Sequence, residues 1–353
     1  MKILEEKKAI VDKTIEKYLP KKLDSRYIEW AFGKANYAYD KNALQKTLSD
    51  IVWDILDRGG KRWRPGLLLI VAEALGADPE KIKDFSVIVE LAHNGSLLID
   101  DIEDDSELRR GKPCIHKIFG VDAAINAGNF MYFLPTLVFT KNRNKFSEKI
   151  LLRAHEIFSE EMTTIHLGQG MDIHWHKGKE DDVTEEQYLQ MCAYKTGTLA
   201  RMAARLGVAL ADGTEEQEER LGKVAESLGI GFQIQDDILN LTAESEKGTF
   251  TKDYIGSDIS EGKRSLLVIH TLKEASEKDR DRLINILNMH TKDKALIKEA
   301  IDIIKKYNSI EYAKGLAKNI VKSAWDAAEP LLKESEAKQQ LKMLIEFSTE
   351  RKY

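Results

Sequence analysis

Cysteine and proline are both scarce in this sequence, and each scarcity excludes a class of protein. The 353 residues include only two cysteines, Cys114 and Cys192, which lie far apart and lack the spacing of a metal-binding pair. The sequence therefore predicts no disulfide framework and favours the reduced setting of the cytoplasm. Six prolines, and no linker rich in glycine, serine and proline, argue against separate domains joined by flexible segments.

Long apolar runs and an excess of basic charge are missing as well. The first residues of the chain mix acids with bases and lack the apolar core of a secretory signal. No stretch is apolar enough to predict stable membrane insertion. The chain has 54 basic and 59 acidic residues, a formal net charge of -5. Nucleic acid is therefore not an expected partner, and any anion must bind at a local site.

Helical periodicity is what the sequence has almost everywhere. Apolar residues recur at intervals of three and four, for example in 44–58 and 87–102, and no alternating pattern indicates a strand. Short turns rich in glycine and aspartate separate these segments. We therefore predict an all-α fold in which residues 1–40 form a charge-rich helical extension and residues 41–353 form one helical-bundle domain.

The first acidic motif is the segment LLIDDIEDDSELRRG. Its Asp100 and Asp104 are four residues apart, so a helix places both carboxylates on one face, and Asp101 falls on a neighbouring row. Magnesium is usually held by one or two carboxylates, while substrate phosphates and water complete its shell. An isolated acidic run is more often a solvated surface, so this motif needs support from elsewhere in the chain.

A second acidic pair supplies part of that support. The segment GFQIQDDILNL sets Asp236 and Asp237 in an otherwise apolar helix, where an unpaired charge is costly. Gln233 and Asn240 lie within about one turn of Asp236, which predicts an oxygen-rich stripe along one face. Two such stripes facing each other across a bundle could hold several magnesium ions around one diphosphate. Pairing of the aspartates with arginines is the alternative.

A diphosphate also needs cations, and most basic groups of this chain occur at glycine-rich breaks. Arginine offers paired donors to phosphate oxygens, lysine offers a point charge, and glycine lets the backbone approach an anion. Each group alone is an ordinary surface feature, but their occurrence beside two acidic pairs points to a diphosphate. The groups are Gly59–Pro65, Arg109 with Arg110, Lys195, Lys252, and Lys263 with Arg264.

In this order the motifs resemble those of the polyprenyl diphosphate synthase family, the trans-prenyltransferases, over about residues 55–265. The resemblance rests on the first acidic motif with its Arg-Arg-Gly, the GGKRWRP loop, the KTG at 195–197, the FQIQDD at 232–237 and the GSDISEGK at 256–263. The GQGMDIHW segment at 168–175 and the DDILN of the second motif are similar to eukaryotic-type geranylgeranyl diphosphate synthases. DDILN departs from the commoner DDxxD at its last position.

The resemblance implies a single large helical bundle of the isoprenoid synthase type with a central hydrophobic cavity, in a homodimer or a higher homo-oligomer. It implies magnesium-dependent head-to-tail condensation of isopentenyl diphosphate with dimethylallyl, geranyl or farnesyl diphosphate, with three Mg²⁺ ions per active site. The expected product is geranylgeranyl diphosphate. The alternatives are a farnesyl or a longer product (C25 and above), a terpene cyclase, or a non-catalytic synthase subunit. A cyclase has no use for a second diphosphate site, and such a subunit would be expected to have lost an acidic motif.

The family's residue roles carry over to the matching positions of this sequence. The resemblance implies the catalytic residues Asp100, Asp101, Asp104, Arg109, Lys195, Asp236 and Asp237, of which Asp100, Asp104 and Asp236 are the metal ligands. It implies that the allylic diphosphate contacts Arg109, Lys195, Thr196, Gln233, Lys252 and Lys263. It implies that isopentenyl diphosphate contacts Lys61, Arg64, His93 and Arg110. The spacing from Lys252 to Gly256 is one residue longer than in many relatives.

Product length depends on what lies below the first acidic motif on its helix. Ser96 is one turn below Asp100 and Ala92 another turn below, and both are small, so a growing chain is not blocked within about 11 Å. By resemblance, the floor of the chain-length pocket is assigned to Tyr132, Phe133 and His166, with Ser96 above them. Core packing is an equally good interpretation of the aromatic pair. The segment 243–262 is expected to close over the site and exclude water.

Overall fold

The computed structural model describes residues 2–175, 182–242 and 255–350, and most of these residues are helical. The α-helices of this part of the chain are α1 Lys2–Tyr18, α2 Ser25–Phe32, α3 Lys41–Leu44, α4 Asp50–Asp57, α5 Trp63–Ala74, α6 Pro79–Ile82, α7 Ser86–Glu103, α8 Ile115–Phe119, α9 Val121–Phe133, α10 Thr136–Lys141, α11 Glu148–His174, α12 Glu185–Cys192, α13 Thr198–Leu210, α14 Glu215–Thr242, α15 Ser257–Ser260, α16 Leu266–Glu274, α17 Glu277–Asn288, α18 Lys294–Lys306, α19 Ser309–Ala328 and α20 Glu336–Glu350.

The same described ranges also contain single turns and one short hairpin. The π-helical turns are Gln45–Ser49 and Ala193–Gly197, and the 3₁₀ turns are Lys83–Phe85 and Glu329–Leu331. The strands, β1 Leu108–Arg109 and β2 Lys112–Pro113, pair antiparallel. The predicted all-α fold is confirmed. Within the described ranges, no helix combines the length and the apolar character that spanning a membrane requires.

The chain divides into two compact units, and neither is a continuous stretch of sequence. The first unit comprises Met1–Phe158, Met202–Glu218 and Leu332–Leu341, and the second comprises Ser159–Arg201, Glu219–Leu331 and Lys342–Tyr353. A single domain from residue 41 to residue 353 stays a prediction.

Helix α7 is a central element of the first unit, where it packs against α1, α5 and α9. The α5 residues from Leu67 to Ala72 are all buried, as expected for a helix that is apolar on every side. The approach of α7 to α9 is close, because a Cβ at Gly95 would lie 3.0 Å from the carbonyl oxygen of Gly128. This packing fixes the helix that carries the first acidic motif.

The N-terminal helix contributes to the core of the first unit. On α1, Val11, Ile15 and Tyr18 are at most 1% exposed. Asp84, itself 2% exposed, accepts hydrogen bonds from Lys17 Nζ at 2.7 Å and from the Tyr18 hydroxyl at 3.0 Å. Apolar burial and a buried carboxylate thus attach α1 to the rest of this unit.

The second unit has an apolar core of its own. It is formed by residues of α12, α14 and the helices from α16 to α19, among them Tyr188, Ile234 and Leu267, all at most 1% exposed. Helix α14 runs through this core and carries the second acidic motif. The motif is therefore placed by a helix that is held along much of its length.

Candidate active site

The two neighbouring aspartates of the first acidic motif have different surroundings. Asp100 keeps 21% of its side chain exposed, whereas the side chain of Asp101 is 1% exposed. Asp104 follows the last residue of α7, and its backbone N–H donates to the carbonyl of Asp100 at 2.9 Å. Asp100 and Asp104 are therefore one turn apart, and this pair can offer carboxylate oxygens to a metal ion.

The buried Asp101 is paired with Arg109. Arg109 Nε donates to Asp101 Oδ1 at 2.8 Å, and a second N–H of the guanidinium donates to the same oxygen. Burial opposes the charge of Arg109, but the pairing with Asp101 outweighs it and raises the pKa of the guanidinium. The same guanidinium lies 3.4 Å from Asp100 Oδ2. Asp101 therefore holds a cation beside the carboxylate of Asp100.

A two-residue turn separates the two arginines of this motif. Arg110 and Gly111 connect β1 to β2 with positive φ angles of 54° and 75°, the pattern of a type I′ hairpin turn. Arg110 Nη1 donates to the carbonyl of Gly59 at 2.6 Å. Arg109 consequently lies beside the acidic motif, while Arg110 binds the basic loop between α4 and α5.

That basic loop brings together residues predicted to bind the second diphosphate. Arg64 Nη1 lies 3.5 Å from His93 Nε2, Arg110 binds the loop carbonyl of Gly59, and Lys61 is exposed in the same loop. Burial, followed by the charges of Arg64 and Arg110, lowers the pKa of His93 well below its usual value. The imidazole is therefore uncharged at neutral pH, and Arg64 and Arg110 are the cations that act on it most strongly.

Tyr132 lies against the stretch of α7 below Asp100, where the small residue Gly95 allows α9 to pack closely. A Cβ at Gly95 would lie 3.2 Å from Tyr132 Cε1. Ser96 turns its hydroxyl back onto the helix, donating to the carbonyl of His93 at 2.8 Å. Burial, followed by the carboxylates at the end of α7, raises the pKa of Tyr132. Ser96 and Tyr132 thus occupy one region of the first unit.

The other two residues predicted for the floor of the chain-length pocket are exposed. Phe133 exposes 69% of its surface in the first unit. His166 lies in the second unit on α11, where its Nδ1 is 2.7 Å from the carbonyl oxygen of Met162. The floor formed by these residues stays a prediction.

The second acidic motif repeats the division seen in the first. Asp236 is exposed on α14, whereas Asp237 is 5% exposed. The Tyr188 hydroxyl donates to Asp237 Oδ2 at 2.7 Å, and Gln233 Nε2 donates to Asp237 Oδ1 at 2.9 Å. The Thr196 hydroxyl donates to Gln233 Oε1 at 3.0 Å. Asp237 therefore anchors a polar network, and Asp236 is the more exposed carboxylate of the pair.

The expectation that Asn240 extends an oxygen-rich stripe from Asp236 is wrong. Asn240 is fully buried. Its amide donates to Ser257 Oγ at 2.8 Å and accepts the backbone N–H of Asp258 at 3.2 Å. The side chain therefore holds the start of α15, because a buried amide must satisfy both its donor and its acceptor.

Lys195 lies on the π-helical turn, in close contact with α11. Its Nζ lies 2.5 Å from Asp172 Oδ2. A Cβ at Gly168 would lie 2.2 Å from the backbone N of Lys195, so only glycine allows the two segments to come this close. The first glycine and the aspartate of the GQGMDIHW segment thus position a predicted diphosphate contact.

Lys263 follows α15 and interacts with acidic neighbours in the second unit. Its Nζ lies 2.5 Å from Glu261 Oε2 and 3.7 Å from Asp258 Oδ1. Lys252 lies outside the described residues, as does most of the segment 243–262 predicted to close over the site.

The carboxylates of these motifs fit magnesium by their chemistry. Among the described residues, no group of three or more His, Cys, Asp or Glu side chains is arranged to hold a metal ion. Asp100 and Asp104 present carboxylate oxygens in the first unit, and Asp236 presents them in the second. Few carboxylates in either unit are compatible with magnesium, because it takes few protein carboxylates and completes its shell with phosphate oxygens and water.

Sequence reasoning missed three residues that hold these groups. Tyr188 carries no local signal, since its partner lies 49 positions away. Asp172 lies in the GQGMDIHW segment, whose resemblance to geranylgeranyl diphosphate synthases did not indicate what the aspartate contacts. Arg62 was grouped with Lys61 and Arg64, although its side chain is 3% exposed. No signal in the sequence separates Arg62 from these two residues.

Comparison with known proteins gives consistent matches over most of the chain. The model of the family described as polyprenyl synthetase matches residues 45–304. A short chain isoprenyl diphosphate synthase of Methanothermobacter thermautotrophicus is 35% identical over 318 residues, covering 88% of this chain and 94% of the relative. A geranylgeranyl pyrophosphate synthase of Dictyostelium discoideum is 35% identical over 279 residues, covering 79% of this chain and 86% of the relative.

The fold is likewise shared with solved structures. The crystal structure of a geranylgeranyl pyrophosphate synthetase from Pyrococcus horikoshii is similar with a TM-score of 0.84 and 33% sequence identity, covering 99% of this chain and 97% of that one. The expected isoprenoid synthase type of all-α fold is confirmed by this similarity.

Replacing Tyr188 with phenylalanine tests the network around Asp237. Tyr188→Phe removes a hydroxyl that donates to a buried carboxylate, so we expect the free energy of unfolding to fall by about 1–3 kcal/mol. Tyr312→Phe is the matched control, since Tyr312 also donates to a carboxylate, Glu185 at 2.6 Å, but is 37% exposed. Denaturant unfolding should show little change for Tyr312→Phe. Equal losses in the two variants would contradict this interpretation of the network.

Proposed function

The chain belongs to the polyprenyl synthetase family, and we propose that it is a magnesium-dependent trans-prenyltransferase that makes geranylgeranyl diphosphate. It condenses isopentenyl diphosphate head to tail with the allylic diphosphates dimethylallyl, geranyl and farnesyl diphosphate. The names of the relatives in Dictyostelium discoideum and Pyrococcus horikoshii support the twenty-carbon product.

One feature of α7 carries the proposal. His93 and Asp100 are seven residues apart on one continuous helix, so they lie on nearly the same face and about 10.5 Å apart along the axis. The carboxylate end suits a metal-bound diphosphate, and the His93 end, with Arg64 at 3.5 Å, suits a diphosphate bound by cations alone. A condensation of two diphosphates needs both kinds of site, and a terpene cyclase needs only the first.

The acidic motifs and their neighbouring cations would act on the allylic substrate. We propose that Asp100, Asp104 and Asp236 hold magnesium, three ions per site, on a single diphosphate. Bound magnesium would neutralise charge on that diphosphate as its bond to carbon breaks. Arg109, held beside Asp100 by Asp101, would contribute to the same stabilisation, as would Lys195.

The basic loop would hold the second substrate during the reaction. When the allylic carbon–oxygen bond breaks, its electron pair leaves with pyrophosphate, and the double bond of isopentenyl diphosphate forms the new carbon–carbon bond to the cationic carbon. The proton then lost from the adjacent carbon goes to the departing pyrophosphate. No side chain acts as a covalent nucleophile. The protein's task is to orient Lys61, Arg64, His93 and Arg110 around the second diphosphate and to keep water away.

The activity is tested with magnesium, labelled isopentenyl diphosphate and each allylic primer in turn, with the dephosphorylated alcohols separated by chromatography. We expect a twenty-carbon alcohol, and loss of product with a chelator. Asp100→Ala should lower kcat by roughly a thousandfold, because charge stabilisation of the leaving group is lost. Asp105→Ala is the control in the same motif, since that side chain is 86% exposed. No elongation with any primer would favour the cyclase or the non-catalytic subunit.

The floor of the chain-length pocket has its own test. We propose that Tyr132, which lies against Gly95, limits the chain together with Phe133 and His166. The double variant Tyr132→Ala with Phe133→Ala should lengthen the product beyond twenty carbons. Most of that change should appear in Tyr132→Ala alone, because Phe133 exposes 69% of its surface in a single chain. Chromatography of the alcohols measures the change, and an unaltered product in the double variant would refute this floor.

We also propose that two copies of the chain associate through α8 and α9. Ile118, Val121, Ile125 and Phe133 are 41–69% exposed on these consecutive helices, and monomers rarely expose a large apolar surface. A second copy is the simplest occupant, since a two-fold interface pairs one patch with itself. Light scattering should give about twice 40.1 kDa, and Ile125→Glu should yield monomers while Ile125→Val stays dimeric. A monomeric native protein would exclude this interface.

The cytoplasm is the location we propose. Cys114 and Cys192 are buried free thiols, as is common in a reducing compartment. Fractionation of the source cells with antibody detection tests this, and recovery with secreted or membrane fractions would exclude it.

A further inference from the structure

Arg62, in the basic loop between α4 and α5, points inward. Arg62 adopts the left-handed conformation, with φ 48° and ψ 32°, immediately before α5, and it is 5% exposed. A side chain of this kind rarely takes such a conformation without compensating contacts. The turn at Arg62 leaves Lys61 exposed before it and Arg64 beside His93 after it.

The guanidinium of Arg62 connects three parts of the first unit. Its Nε donates to Asp12 Oδ1 on α1 at 2.8 Å, and its Nη1 donates to Glu90 Oε1 on α7 at 2.8 Å. Its Nη2 donates to the carbonyl of Leu56, near the end of α4, at 2.9 Å. Only the planar fork of arginine reaches three acceptors in these directions at once.

The same guanidinium lies next to the groups proposed to bind isopentenyl diphosphate. A Cβ at Gly60 would lie 3.1 Å from Arg62 Nη1 and 3.5 Å from Arg110 Nη2, so the loop backbone runs beside two guanidinium groups. Glu90 also accepts a hydrogen bond from Asn94 at 2.6 Å, and Asn94 is the residue after His93. A shift of Arg62 would therefore move the loop and its cations together.

Asp12 is the outer member of this set and the one contributed by the N-terminal helix. Its side chain is 40% exposed, whereas those of Arg62 and Glu90 are 3% exposed. The carboxylates of Asp12 and Glu90 both face the Arg62 guanidinium, and Arg110 is a cationic neighbour of that group. Without Asp12, Glu90 alone would oppose the mutual repulsion of these cations.

We propose that Asp12 is a positioning residue for isopentenyl diphosphate, acting through Arg62, so that the N-terminal helix α1 is a working part of the second diphosphate site. This rests on the proposed function. The residue touches no substrate; it fixes the conformation of the loop that does. Asp12 does not affect binding of the allylic substrate, which depends on Asp100 and Asp104.

Steady-state kinetics separate this role from general support of the fold. In Asp12→Ala we expect the KM for isopentenyl diphosphate to rise about fivefold or more, with the KM for the allylic substrate and kcat within about twofold of the native values. Asp12→Glu should restore most of the affinity. Glu16→Gln is the matched control, because it removes the same charge one turn later on α1 at an exposed position.

Several results would overturn the proposal. An unchanged KM for isopentenyl diphosphate in a folded Asp12→Ala protein would do so, and so would an equal rise of both KM values. If Asp12→Ala does not fold, Asp12→Asn takes its place, since its amide oxygen still accepts from Arg62 Nε but carries no charge. A rise in the isopentenyl KM alone would again support the proposal, and no rise would overturn it.

Direct binding distinguishes a failure of this proposal from a failure of the proposed function. Calorimetric titration of isopentenyl diphosphate in the presence of a chelator reports the site built from lysine and arginine, because the carboxylate site is then without metal. We expect Asp12→Ala to bind about fivefold or more weakly than the native protein and Glu16→Gln to bind equally well. Native protein that binds but does not elongate would refute the function alone. Equal binding by native protein and Asp12→Ala would refute the positioning role alone.

Discussion

The cost of burying an unpaired charge gives the two aspartates of Asp100–Asp101, and likewise of Asp236–Asp237, different surroundings. Adjacent residues on a helix point about 100° apart, so one carboxylate of each pair faces the interior when the other faces outward. Asp101 pairs with Arg109, and Asp237 accepts hydrogen bonds from Tyr188 and Gln233. Asp100 and Asp236 are the more exposed members of their pairs. In each unit the buried aspartate therefore positions polar side chains beside a more exposed carboxylate, the one that we propose as a metal ligand.

The local part of this arrangement was predictable from the sequence. Four-residue spacing placed Asp100 and Asp104 one turn apart, and the absence of alternating patterns indicated an all-α fold. The order of the motifs was enough to identify the family. These features depend on helix geometry and on neighbouring residues, so periodicity alone reveals them.

What escaped prediction depends on partners distant in sequence. Asn240 has the spacing of a third ligand, yet it is buried against Ser257, and helical spacing does not tell which neighbour a side chain meets. Tyr188 and Asp237 meet only after the second unit has folded. The inward turn of Arg62 follows from a left-handed backbone, which is unusual for arginine and has no marker in the sequence.

The left-handed residues Arg62 and Arg110 solve a packing problem that the basic motifs create. Several cations lie close together here and repel one another in a partly buried space. The left-handed conformation of Arg110 accompanies a guanidinium that donates to the carbonyl of Gly59, whereas that of Arg109 pairs with Asp101. The left-handed conformation of Arg62 accompanies a buried guanidinium that follows the exposed Lys61. Glu90 supplies the nearest buried negative charge, and its Oε1 accepts from both Arg62 and Asn94.

His93 lies beside these cations and is itself uncharged. Burial and the adjacent arginines lower its pKa, so it adds a hydrogen-bonding group to the loop without adding another positive charge. Protein contacts hold the loop in its conformation, which therefore depends on the few carboxylates that face it. That dependence is why an aspartate on the N-terminal helix, outside the recognised motifs, can influence a diphosphate that it never touches.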